Sequence, residues 1–301
     1  MAEQFAQLGE IEICFETFGG REGPALLLVM GLGTQMVAWP EDFCRRLADR
    51  GFFVIRYDNR DIGRSTHLRQ HPPPTIRQLL LRDKRAAKYS LADMAADGVG
   101  LLDELGIERA HVAGASMGGM IAQLMAARHP DRVLSLASIM SNTGHRWKGT
   151  PGLRIYPILV RRPAPDRERA IASAVAVFRQ IGSPGFPFDE ETTRKAAELS
   201  YDRGYNPAGS ARQLAAILAA GDRTSELRRI TAPTVVIHGT NDPLVRPSGG
   251  RATAAAIAGA ELVTIKGLGH DLPPGAWDRI VDAIVANTQR ADASDRRRAT
   301  A

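Results

Sequence analysis

The chain has 301 residues, 44% of them hydrophobic, and a formal net charge of +6, which suits one large α/β domain with an insertion, or two small domains, with a substantial core. Its two cysteines, Cys14 and Cys44, lie far apart and outside any C-x-x-C pattern, so a disulfide framework and a zinc site are not expected. No run approaches about 18 uninterrupted apolar residues, which excludes a transmembrane helix, and no nucleic-acid motif accompanies the basic clusters at 82–88 and 296–298, which are taken as solvated surface.

Ile11 to Phe18 alternates apolar and polar residues, the pattern of a half-buried antiparallel edge strand. Ala25 to Met30 is a continuous apolar run, a fully buried strand, followed by the loop Gly31-Leu32-Gly33-Thr34. A helix is expected from Trp39 to Arg50 and is stopped by Gly51. Phe52 to Tyr57 is a further buried strand. His71-Pro72-Pro73-Pro74 interrupts the next stretch, and a short helix is allowed in the basic run after it. Ser90 with Asp93 forms a capping-box pattern and opens a helix with a stripe through Leu91, Met94, Val99 and Leu102. Ala110 to Ala113 is a short buried strand, Gly114-Ala115-Ser116-Met117-Gly118 a G-x-S-x-G turn, and Gly119 to Arg128 a helix.

Val133 to Ile139 is the next buried strand, and then the alternation breaks. Residues 143–225 hold no convincing strand; helices are expected at 167–181, 189–202 and 207–220. The sheet resumes at Thr234 to His238 and Glu261 to Ile265, and a helix over 274–288 closes it. The predicted architecture is a mostly parallel central sheet flanked by helices, built from 1–142 and 226–289, with a helical cap at 143–225 and a disordered polar tail at 290–301.

A strand turning directly into a helix around a serine is a nucleophile elbow. It pushes the Ser116 hydroxyl out at the carboxyl end of the sheet and sets the Met117 N–H at a helix N-terminus. An alkyl hydroxyl needs a base, and the base needs an orienting acid. Among seven histidines, His270 follows a short strand and a Gly267-Leu268-Gly269 loop, at the same edge as Ser116. His111 lies at the wrong end of its strand, His129 ends a helix, and His238 precedes the acid candidate, where a structural role fits better. Asp242 follows a buried strand end. Asp271 adjoins His270 too closely to face its far nitrogen, and Met140, Ser141 and Asn142 offer no acid. The order Ser116, Asp242, His270 results. The Leu32 N–H, in a loop that Gly31 and Gly33 let approach closely, is the second oxyanion donor beside Met117.

These residues resemble the α/β-hydrolase superfamily over essentially the whole chain. Tyr57-Asp58-Asn59-Arg60-Asp61-Ile62-Gly63-Arg64-Ser65, Met30-Gly31-Leu32-Gly33, Trp39-Pro40, Ser116-Met117-Gly118 and Gly269-His270-Asp271-Leu272-Pro273 look most like the aclacinomycin methylesterase group and the related lipase-like esterases of actinobacteria. Met30 stands where the superfamily commonly has histidine. The resemblance implies hydrolysis of a carboxylic ester through an acyl-enzyme on Ser116.

Thioesterase, cofactor-free perhydrolase and carbon–carbon bond hydrolase are alternatives on the same fold, and a non-catalytic hydrolase-like binding protein is an alternative of another class. A dinucleotide site would need a small residue where Met36 stands, so no cofactor is expected. The cap is expected to choose the substrate, a small-molecule ester apolar in its acyl or alcohol part, with Gly31, Trp147 and Phe178 as contacts. Arg161, Arg162 and Arg167 would form a basic rim suited to an acidic group on a large ester. The N-terminal stretch has no basic segment leading into an apolar run, so a cytoplasmic monomer or homodimer is expected.

Overall fold

The computed structural model describes residues 2–159, 164 and 166–299. An antiparallel hairpin begins it: β1 (Gln4–Leu8) pairs with β2 (Ile11–Phe18), Leu8 opposite Ile11. Then come β3 (Ala25–Val29), α1 (Glu41–Ala48), β4 (Phe53–Tyr57), α2 (Ile76–Leu80), α3 (Leu91–Glu104), β5 (Ala110–Ala115), α4 (Met117–Arg128) and β6 (Val133–Ile139). Five helices follow without an intervening strand among the described residues: α5 (Tyr156–Leu159), α6 (Arg167–Ile181), α7 (Glu190–Gly204), α8 (Pro207–Ala220) and α9 (Thr224–Leu227). β7 (Thr234–Gly239), α10 (Ser248–Ala256), β8 (Glu261–Ile265) and α11 (Trp277–Ala299) complete the chain.

The eight strands form one sheet in the order β1-β2-β4-β3-β5-β6-β7-β8. β2 pairs antiparallel with β4, and every pairing beyond is parallel. Parallel strands are covered on both faces, which is why β3, β4, β5 and β7 are buried along their whole length rather than at alternate residues. Successive side chains still point opposite ways. Leu27 and Val29 join a core with α3 and α4, while Leu26 and Leu28 join a second core with α1 and α11.

The predicted helices at 167–181 and 207–220 coincide with α6 and α8. One expectation needs correcting. The predicted polar tail from residue 290 is helical: α11 continues to Ala299, Ala291 is buried, and Arg290 reaches Glu261 at 3.1 Å and the Gly259 carbonyl at 2.7 Å. A long arginine with acceptors at the start of β8 and in the turn before it holds this part of the helix against the sheet where composition alone points to solvent. Of the predicted basic rim, Arg167 alone falls among the described residues. Arg161 and Arg162 lie outside the described residues, and Arg167 is held bidentately by Asp202 at 2.7 and 2.8 Å.

Candidate active site

The carboxyl ends of β3, β5, β7 and β8 meet at one edge of the sheet, and each leads into a loop carrying one of the sequence-predicted residues. Ser116 follows β5 at φ 56° and ψ −119°, a conformation that side-chain-bearing residues adopt at a cost of about 1–3 kcal/mol. Its neighbours explain how the turn closes. A Cβ on Gly114 would stand 2.1 Å from the Gly118 carbonyl oxygen, and one on Gly118 would stand 2.0 Å from the Val29 carbonyl oxygen. Only glycine lets α4 start this close to β5 and β3. The Ser116 N–H is anchored on the Ile139 carbonyl at 2.9 Å.

Ser116, His270 and Asp242 form one chain of hydrogen bonds. Ser116 Oγ lies 3.0 Å from His270 Nε2, and His270 Nδ1 lies 2.7 Å from Asp242 Oδ2. The other carboxylate oxygen of Asp242 accepts the N–H groups of Leu244 at 2.9 Å and Val245 at 2.8 Å. A carboxylate so fixed accepts a proton-bearing Nδ1, which leaves Nε2 with a lone pair facing the serine. Asp242 and His270 are both buried.

His238 stands beside this chain, with Nε2 donating to the Val245 carbonyl at 2.7 Å and lying 3.6 Å from Asp242 Oδ2. Burial lowers its proton affinity, so a neutral ring steadies the turn that presents Asp242. Asp271 makes a different contact: it accepts the Ser183 hydroxyl, and burial raises its pKa.

The loop after β3 lies against the serine. A Cβ on Gly31 would come within 3.1 Å of Ser116 Cβ. The loop is pinned by Asn59 donating to the Met30 carbonyl at 2.9 Å and by the Gly33 N–H donating to Gln213 Oε1 at 2.9 Å. Among the described residues, neither the Leu32 N–H nor the Met117 N–H has a protein acceptor. Two backbone donors are therefore uncommitted beside Ser116.

Asp58 and Asp61, in the signature after β4, face the helical insertion. Arg203 of α7 reaches Asp58 Oδ2 at 3.0 Å, and Arg212 of α8 grips Asp61 at 2.6 and 2.8 Å. All four side chains are buried. Burial by itself raises the Asp61 pKa, but the Arg212 guanidinium and the Leu68 N–H outweigh it and hold the carboxyl below the usual aspartate range.

A cavity of about 580 Å³ lies between these helices and the edge of the sheet, walled by Ile171 and Phe178 of α6, Tyr201 of α7, Trp277 and Asp271. Ser116 and His270 do not line it; it adjoins them through Gly33, Thr34 and Asp271. Phe178, expected as a substrate contact, lies in the wall of this cavity. Trp147 does not. It is 71% exposed beneath the Arg146 guanidinium, because the turn in which its N–H bonds His145 Nδ1 carries the indole outward. Sequence reasoning missed Gln213, Arg203 and Arg212. A buried arginine on a helix opposite a loop aspartate leaves no local pattern, since the two are about 150 residues apart.

A profile of the alpha/beta hydrolase fold matches residues 24–274. The chain belongs to the α/β-hydrolase family. It is similar to two rhodomycin D methylesterases: DnrP of Streptomyces peucetius is 29% identical and DauP of a Streptomyces species 30% identical, each alignment covering 94% of this chain and 96% of the relative. Among solved structures, the enol-lactonase from Burkholderia xenovorans superposes with a TM-score of 0.74 at 26% identity, covering 95% of this chain and 100% of that one.

Proposed function

We propose that this protein is a carboxylic ester hydrolase that works through an acyl-enzyme on Ser116. The observation that carries the reading is the unbroken chain from Ser116 Oγ through His270 to Asp242, at 3.0 and 2.7 Å. In this mechanism His270 Nε2 takes the Ser116 proton as Oγ bonds to the ester carbonyl carbon. The carbonyl electron pair moves onto oxygen, where the Leu32 and Met117 N–H groups receive the negative charge. Collapse of the intermediate expels the alkoxide, which takes its proton from His270. Water, deprotonated by His270, then attacks the acyl-enzyme and releases the acid. Asp242 stays ionised and stabilises the imidazolium. The similarity to two methylesterases over nearly their whole length supports ester cleavage over the thioester and carbon–carbon alternatives.

The five helices between β6 and β7 act in this reading as a cap that selects the substrate. The cavity walls are mainly aromatic and aliphatic, with Thr34, Gln35 and Asn206 among them. Its lining carries the carboxylates of Glu41, Asp42, Asp189 and Asp271 and, among the described residues, no lysine, arginine or histidine. An apolar ester without an acidic group fits this lining. Hydrolysis of p-nitrophenyl esters of graded acyl length measures both parts of the proposal. Turnover that disappears in Ser116→Ala is expected. Equal turnover in parent and Ser116→Ala would contradict it.

A further inference from the structure

The main chain around His270 is held by the insertion, not by the sheet from which the loop emerges. The His270 N–H donates to the Ile181 carbonyl at 2.8 Å, at the end of α6. The residue before it, Gly269, donates its N–H to Ser183 Oγ at 2.8 Å, and the residue after it, Asp271, accepts the Ser183 hydroxyl proton. One buried hydroxyl thus joins both neighbours of the histidine. Gly185 N–H donates to the Gly267 carbonyl at 2.9 Å, and the two glycines touch so closely that a Cβ on either would stand 2.6 Å from the other's Cα. A Cβ on Gly269 would likewise stand 2.2 Å from the Gly182 carbonyl oxygen. The sheet side holds only the front of the loop, where Thr240 accepts the Gly267 N–H at 2.9 Å and Asn241 donates to the Leu268 carbonyl at 3.0 Å.

We propose that Ser183 is a positioning residue for the reaction, which fixes the His270 ring between Ser116 and Asp242 by clamping Gly269 and Asp271. The proposal rests on the acyl-enzyme reading of the site. Ser183 touches neither reacting atom; it acts through the backbone on both sides of the base. Without its hydroxyl, the buried Gly269 N–H loses its acceptor and Asp271 keeps only the Ser183 backbone N–H, so the loop must relax. A shift of about 1 Å in a catalytic group is enough to lower the rate roughly 100-fold. The insertion then does more than select substrate: Asp271 also lines the cavity, so what fills the cavity adjoins the clamp.

The test compares the parent with Ser183→Ala, Asp271→Ala and the double variant, by turnover of a p-nitrophenyl ester and by the low-field Nδ1–H resonance of His270 in ¹⁵N-histidine-labelled protein. Ser183→Ala is expected to lower kcat about 10- to 100-fold with KM within about threefold, and to broaden the resonance through exchange with water. Asp271→Ala removes one of the two contacts and lowers kcat less. The double variant is no slower than Ser183→Ala, because both changes act on one clamp. An unchanged kcat together with an unchanged resonance in Ser183→Ala overturns the proposal, as does a raised KM at parental kcat, which would make Ser183 a substrate contact. If Ser183→Ala does not fold, Asp271→Ala decides by the same two readouts. If the parent itself neither turns over ester nor reacts at Ser116 with a fluorophosphonate, the hydrolase reading fails, and the resonance alone decides the clamp.

Discussion

The sheet and the helical insertion meet at the same histidine by different means. The sheet supplies its side-chain partners, Ser116 and Asp242, from strand ends fixed by backbone pairing on both sides. The insertion holds the main chain around it through Ile181, at the end of α6, and Ser183, in the turn that follows. It is itself tied to the sheet by side chains, Arg203 to Asp58 and Arg212 to Asp61. Backbone ladders are insensitive to which side chains they carry, whereas a buried ion pair fails completely when one partner is removed. Substitutions in the sheet loops should therefore remove chemistry from a folded protein, and substitutions under the insertion should loosen its attachment.

The largest effect on rate is expected at the acid. Asp242→Asn should fold with a parental melting temperature and lose roughly 10²–10⁴-fold in turnover, because an amide favours the wrong His270 tautomer and does not stabilise an imidazolium. Equal rates in the two proteins would move the acid elsewhere. The largest effect on stability is expected under the insertion. Asp61→Asn leaves the buried Arg212 charge without its partner and should cost about 3–5 kcal/mol by denaturant melts. Its pH dependence has a definite sign. The folded pKa of Asp61 is depressed, so the stabilisation it gives is present above the ordinary aspartate value of about 3.9 and is lost as pH falls through the lower folded value. The gap in melting temperature between parent and Asp61→Asn should therefore narrow in acid, and a gap that widens there would contradict the pairing.

Two smaller effects sharpen the same contrast. Phe178→Ala enlarges a cavity wall and should change the ratio of long- to short-acyl turnover about 5- to 50-fold, whereas Trp147→Ala, on an exposed turn, should leave that ratio within about twofold. A reversed outcome would place the acyl pocket beside Trp147. Smallest of all, Asp271→Asn keeps an oxygen that accepts the Ser183 hydroxyl and should hold turnover within about threefold of the parent. A loss as large as that in Asp242→Asn would show that the charge of Asp271 matters.

How much of this is legible in the sequence follows the same division. Ser116 and Asp242 stand just beyond buried strands and His270 beyond the short β8, and a parallel sheet brings all such strand ends to one edge, so local pattern suffices to gather them. β1 escaped because Phe5 is exposed and the strand has no apolar run. α10 escaped because Gly249 and Gly250, inside its first turn, resemble a loop. The insertion's attachments are not legible at all. Ser183 sits in Gly182-Ser183-Pro184-Gly185, which has the composition of any turn, and its partners lie 86 and 88 residues away. Trp147 shows the converse: a large aromatic in a cap invites a pocket role, and only the path of the backbone decides that it faces solvent.

The central claim is that Ser116 is an activated nucleophile, and covalent labelling tests it most directly. Treated with a fluorophosphonate and digested for mass spectrometry, the folded protein should carry one label per chain, on the peptide containing Ser116, and the label should be absent from Ser116→Ala and slow to form in Asp242→Asn. A label on another serine, or none on folded protein, would contradict the account.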